Sequence, residues 1–202
     1  MSRYSDYDDY DDDNWALNMG RWEHNARVAL KGKRGRKALA ELREALMALP
    51  EHRLIEGAVC TVGAEQRKDE LLAEAERDKA RMDEQYADKY GPATLDTEAA
   101  DELERHVNRD GEGVCAIGAY VWWRKVKAGA DPAEAFASLP GLPDESDGLH
   151  ETAELARDQA GMTLTLAWEL AYRNDETYRS MTPEARHAAF IAWIDQQLAG
   201  AA

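Results

Sequence analysis

Residues 65–90 run for 26 positions without a glycine or a proline, and 15 of the 26 are Asp, Glu, Lys or Arg. A stretch of good helix formers that long has no turn chemistry to end it and too little apolar surface to be a buried strand. Leu71, Leu72, Ala75, Met82 and Tyr86 give it a sparse stripe at helical spacing, and charges four residues apart support a helix that stays mostly in water. Gly91-Pro92 breaks the run. Thr97 is placed to cap a returning helix to about Asn108 with Leu103 and Val107 inward, so residues 65–108 read as a charged helical hairpin.

The same punctuation recurs along the rest of the chain. Asn14 is placed to cap a helix from Trp15 to about Lys31, and Gly32-Lys33-Arg34-Gly35 reads as a basic turn. A second helix from Arg36 to Leu49 carries Leu39, Leu42, Leu46 and Leu49 on one stripe, and Pro50 ends it. A connector over 52–62 contains Leu54-Ile55 as one extended turn or strand. After the Asp110-Gly111-Glu112-Gly113 turn, Val114 to Lys127 reads as an apolar segment closed by Arg124, Lys125 and Lys127, which suit a helix C-terminus. Asp131-Pro132-Ala133-Glu134 is an N-cap, a first-turn proline and a glutamate at N3. A loop over 139–148 precedes helical segments at about 149–160 and 163–173, with Asn174-Asp175-Glu176 as the helix end and turn. Thr182-Pro183-Glu184 opens a last helix to about Leu198, with Phe190, Trp193 and Ile194 inward. No β-alternation demands a sheet and no internal repeat is present. The expected fold is all-α: one helical domain over 14–200, preceded by a disordered acidic Tyr/Asp tail over 1–13.

A chain of 202 residues with 44% hydrophobic content can bury one substantial core. Two cysteines do not make a secreted disulfide framework, the first residues lack the apolar core of a signal peptide, and no stretch approaches the length of a membrane helix. These features point to a cytoplasmic protein without a membrane contact. Six Trp and eight Tyr against two Phe place much of the aromatic content at the edge of the core or at an interface. The net charge of −15 argues against a general nucleic-acid binder, but it is unevenly spread. Residues 1–13 carry −5 and residues 20–37 carry +6, so an acidic tail adjoins a basic stretch.

No catalytic set emerges. His24, His52, His106, His150 and His187 lie on separate elements, and with Cys60 and Cys115 they match no zinc spacing. Asp144-Glu145-Ser146-Asp147-Gly148 with Glu154 imitates a calcium loop but puts Pro143 where the first ligand belongs. Lys31 to Lys37 lacks the glycine spacing of a phosphate loop. Cys115, in an apolar run, reads as a small hydrophobe. Arg53, Arg173, Asn174 and Asp175 are the polar residues left to converge in a site. No cofactor or metal is implied. The candidate binding residues are electrostatic: Tyr4, Tyr7, Asp8, Asp9, Tyr10, Asp11 and Asp12 in the tail, and Arg21, Lys31, Lys33, Arg34, Arg36 and Lys37 in the basic stretch.

Several segments taken in order carry a resemblance. They are Gly20-Arg21-Trp22, Gly32 to Gly35, the run from Ala45 to Ile55, Gly113 to Ala119, Tyr172 to Glu176, and Thr182 to Arg186 with Trp193. In this order they resemble a family of small proteins encoded by bacteriophages and prophages, including those of actinobacteria. The resemblance implies a phage accessory protein in the bacterial cytoplasm and brings no activity, cofactor or catalytic residue with it. The expected function is that of a non-enzymatic phage accessory or host-modulating protein that binds a host or phage protein. The alternative is a nucleic-acid-associated protein that uses residues 21–37, with the acidic tail as autoinhibitor.

Overall fold

A computed structural model describes residues 24–56, 59–140 and 148–200, and all of its regular elements are helical. In chain order they are α1 (24–31), α2 (Lys33–Ala48), α3 (Ala64–Tyr90), α4 (Glu98–Asp110), α5 (Ala116–Lys127), α6 (Pro132–Ala137), α7 (Gly148–Ala160), α8 (Leu164–Tyr172), a π-helical turn (Arg173–Thr177) and α9 (Pro183–Ala199). No described helix is long and apolar enough to cross a membrane.

The first seven residues of α5, Ala116 to Trp122, are all buried, so this helix has no polar face and must lie at the centre. Helices α2, α6, α7 and α8 pack around it, and α9 packs on α2. The leucine stripe of α2 faces inward as its spacing predicts, with Leu39, Leu42, Leu46 and Leu49 all buried. Phe190 of α9 completes the core, edge-on to Tyr178 and Trp193 at ring separations of 5.7 and 5.8 Å. Two of the sequence-predicted helix starts are built as expected. Asp131 accepts from the Ala133 and Glu134 amides, and Thr182 accepts from the Ala185 amide.

An extended thread crosses the start of α5. The Ile55 amide donates to the Val114 carbonyl at 3.1 Å, Thr61 to Gly113 at 2.8 Å, and Cys115 to Val59 at 3.1 Å. Cys60 and Val114 form an isolated antiparallel bridge, the only β pairing among the described residues. Gly118 makes the crossing possible, because a Cβ there would stand 2.3 Å from the Val59 carbonyl oxygen.

Two expectations change. Gly32 to Gly35 is not a turn between helices. Gly32 is the N-cap of α2, and Gly35 lies buried inside its first turn, where a Cβ would fall 1.8 Å from the Ala29 carbonyl oxygen. The glycine serves a close approach of α1 rather than a chain reversal. Thr97 precedes α4 but does not cap it through its side chain; its hydroxyl donates to Asp101 instead. The long charged helix falls where predicted. Of α3 only Ala64 is buried, and α3 packs on α4, with Lys68 paired to Glu104.

Candidate functional site

The thread brings the residues around Leu54 to Glu56 against the ends of α4 and α9 and the π-turn. At their junction lies Arg186, 1% exposed, in the second turn of α9. A guanidinium has five N–H donors, and all five find acceptors here. Nη1 donates to the Leu54 carbonyl at 2.8 Å and to Asp110 at 3.4 Å. Nη2 donates to Glu56 at 3.1 Å and to the Met181 carbonyl at 3.2 Å, and Nε to the Tyr178 carbonyl at 3.4 Å. Glu56 also meets Arg179 and Arg109, and Asp110 accepts from the Glu56 amide at 2.9 Å and from Arg109 at 3.3 Å. Burial pushes the Glu56 carboxyl up, while Arg109 and Arg186 pull it back.

His106 steadies the outer side of this cluster. Arg109 donates to its Nδ1 at 3.0 Å, which leaves Nε2 to donate to Glu102 at 2.9 Å. Burial, then Arg109, push the imidazole below its ordinary range. Both ring nitrogens are engaged, so His106 positions Arg109 and has no nitrogen left for an external proton.

The π-turn supplies the inner side. Its i to i−5 bond, Tyr178 amide to Arg173 carbonyl at 3.2 Å, widens the end of α8. Asn174, 1% exposed, donates to the Ile55 carbonyl at 2.8 Å and to Asp175 at 2.6 Å. Its Oδ1 accepts from the Ala116 amide, an otherwise unpaired donor at the start of α5. The expected helix end and turn at 174–176 is thus a continuation of the helix aimed into the core. Cys115 beside it is buried, and burial and then Asp175 push its thiol up to about 12. The Cys60 thiol is pushed up by burial as well. Burial thus favours the protonated thiol at both cysteines.

Of the four polar residues singled out in the sequence, three meet at this junction. Asn174 and Asp175 lie in it, and Arg53 reaches its edge by donating to the Asp110 carbonyl. Arg173 does not join them; it pairs with Glu169 at 2.6 Å and lies 4.3 Å over the Trp193 ring. Glu56, Arg109, Asp110 and Arg186 were missed, because their partners are set by tertiary contacts up to 132 residues away in sequence. Leu54-Ile55, Gly113 to Ala116, Asn174 and Arg186 meet here as an internal polar lock. No group of three or more His, Cys, Asp or Glu among the described residues is arranged to hold a metal.

The electrostatic candidates fall in two places. Tyr4, Tyr7, Asp8, Asp9, Tyr10, Asp11, Asp12 and Arg21 lie outside the described residues, as does most of the calcium-like loop. Lys31, Lys33, Arg34 and Lys37 are exposed around the α1–α2 junction, and Lys37 pairs with Glu41. Arg36 is half-buried and donates to the Leu198 carbonyl at 3.2 Å, which ties α2 to α9 rather than leaving it for a ligand.

A larger feature is a groove of about 930 Å³ along α3, floored by Leu71, Ala75, Met82, Ala93, Ala99 and Leu103. Glu70, Glu74, Asp78, Asp96, Glu98 and Glu102 rim it, against Arg67 and Lys79. Both cations are engaged, Arg67 with the Cys60 and Leu139 carbonyls and Lys79 with Asp83. Beyond the groove Tyr86, Tyr90 and Leu95 are exposed, Tyr90 at 71%.

No protein-family model, curated protein or solved structure matches the chain. The class defined by the described residues is an all-α domain with a buried polar lock around Arg186.

Proposed function

We propose that the protein is a non-enzymatic binding factor that acts by contact with another protein, in keeping with the phage accessory or host-modulating role implied by its resemblance. The observation that carries this reading is α3. A helix of 27 residues with only Ala64 buried adds almost nothing to the core, yet it carries Met82, Tyr86 and Tyr90 into solvent. Exposed aromatics are anchors that protein interfaces favour. The polar lock supports the same reading from the other side, since its strong donors are turned inward.

The test is cross-linking in host cells with the full chain and with a Tyr86→Ser/Tyr90→Ser/Leu95→Ser variant, compared with melting of both. Loss of a specific cross-linked partner with an unchanged melting temperature supports the reading. A partner retained by the variant, or no partner with either chain, overturns it.

A second reading is favoured by Lys31, Lys33 and Arg34, which are exposed together and in no ion pair among the described residues. They suit a phosphate backbone. Lys31→Glu/Lys33→Glu/Arg34→Glu should then abolish salt-dependent DNA binding, and deletion of residues 1–13 should strengthen it. A chain that binds no DNA in either form removes this reading.

A further inference from the structure

We propose that the groove along α3 and α4 receives a basic amphipathic helix of a partner protein. The proposal rests on the protein-binding reading above and names the chemistry of the partner. Three features of the groove lead to it.

Its size suits a helix. The groove opens along α3 beside α4 and the extended return through Ala93, whose amide donates to Asp83 at 2.5 Å. The volume of about 930 Å³ equals about two turns of an α-helix about 10 Å across. Its apolar lining includes Leu71 and Met82 beside the small Ala75 and Ala99, and the two alanines leave room for leucine-sized knobs.

Its charge selects the occupant. Six carboxylates line the groove, of which Asp78 pairs with Arg81 and Glu102 with Arg105 and His106, and both cations on it are likewise held by this chain's own groups. Glu74 on α3 and Glu98 on α4 both line the groove and have no ion pair among the described residues. A helix with lysine or arginine on its flanks and aliphatics on its inner face would satisfy rim and floor together. An acidic helix would be repelled. A second copy of the same helix pair would be too, since residues 64–110 carry 15 acids against eight Lys or Arg.

The test uses a fluorescent Leu/Lys peptide of about 18 residues, with leucines at helical i, i+3, i+4, i+7 spacing, and a scrambled peptide of the same composition. Binding to the full chain is read by anisotropy. The patterned peptide should saturate at one per chain and bind about tenfold tighter than the scrambled one. Glu74→Lys/Glu98→Lys should weaken it by about tenfold or more, whereas Glu84→Lys/Asp88→Lys, the same charge change on exposed positions outside the groove, should change it by less than about twofold. Equal binding of the two peptides, or equal weakening by the two variants, would mean that the acidic field of the whole molecule is sensed, and would overturn the proposal. Self-association of the chain that Glu74→Lys/Glu98→Lys disrupts would assign the groove to a second copy, and also overturns it. A cellular partner lost on Tyr86→Ser/Tyr90→Ser/Leu95→Ser but kept by Glu74→Lys/Glu98→Lys would sink the groove alone and leave the binding role standing.

Discussion

The buried guanidinium of Arg186 holds the Glu56 carboxylate at 3.1 Å, joining positions 130 residues apart in sequence. Through Asp110 and the Leu54, Tyr178 and Met181 carbonyls the same group ties the thread to α4, α9 and the segment before it. Removing one partner of such a network strands the others in a place where water cannot repair them. Arg186→Met should therefore cost about 3–5 kcal/mol in urea unfolding. Arg186→Lys, with three donors for five acceptors, should recover only part of that loss. A Met variant within about 1 kcal/mol of the parent would show that the lock is dispensable.

Asn174 works on the inner side of the same junction. Asn174→Ala leaves the Ile55 carbonyl and the Ala116 amide without partners and should cost about 1–3 kcal/mol. Asn174→Asp is nearly isosteric yet should cost more at neutral pH, because it loses the donor and puts a carboxylate against Asp175. Denaturation of the two variants side by side checks the order. An Asp variant as stable as the parent would mean that the donor role is not used.

Local structure was legible where the signal is local. The caps at Asp131 and Thr182, the leucine stripe of α2 and the extent of α3 follow from residues within a turn or two of each other. The polar junction was legible only in outline. Asn174 and Asp175 were visible as polar residues without a home, but adjacent polar residues at the end of an apolar run read as a helix end. Nothing local announces that a π-turn will carry them inward. Arg186 sits two residues past a strong helix start, in a place where arginine is ordinarily solvated. Its burial depends on a thread from residues 54–56 that only tertiary packing delivers. Gly35 was misread for a related reason, since a glycine that permits a close approach and a glycine that makes a turn look the same in sequence.

Gly118 is the packing counterpart of those contacts. Alanine is the better helix former by about 1 kcal/mol. Yet its methyl would press on the Val59 carbonyl, which is backbone and already accepts from the Cys115 amide. Gly118→Ala should therefore destabilise by about 1–3 kcal/mol despite the gain in propensity. A neutral or stabilising result, read by thermal melting, would mean that the thread can step back from α5 at little cost.

Two histidines set the expected pH dependence. Burial, then Arg109, push His106 below the ordinary value of 6.5. Burial also pushes His187 down, with a further push from His52, whose ring lies 5.4 Å away. Between each folded-state pKa and 6.5 the unfolded chain binds more protons, so stability rises with pH there. Their contribution is fully present above 6.5 and is lost as pH falls through the folded-state values. Glu56, raised by burial, has the opposite sign: its contribution is present below 4.5 and is lost as pH rises through its folded-state value. Urea stability should therefore fall on going from about pH 7.5 to about pH 5.5. His106→Gln/His187→Gln, which keeps amide donors at both places, should flatten that fall, and an unchanged slope would remove the histidines as its cause.

Helix α3 makes the sharpest dynamic prediction, because its 27 residues have almost no tertiary support. What holds its outer turns is intrinsic propensity and exposed pairs such as Lys79–Asp83 and Arg81–Asp78. Pairs of that kind are screened by water and contribute little, so local opening should be frequent. Amide hydrogens over residues 70–90 should exchange orders of magnitude faster than those of Ala116 to Trp122, whose opening requires the core to unfold. Adding the patterned basic peptide should slow exchange over 70–90 and leave α5 unchanged, since a bound helix would supply the packing that α3 lacks. If α3 in the free chain were already as protected as α5, its apolar stripe would be covered in solution by another copy. The groove would then not be open to a partner.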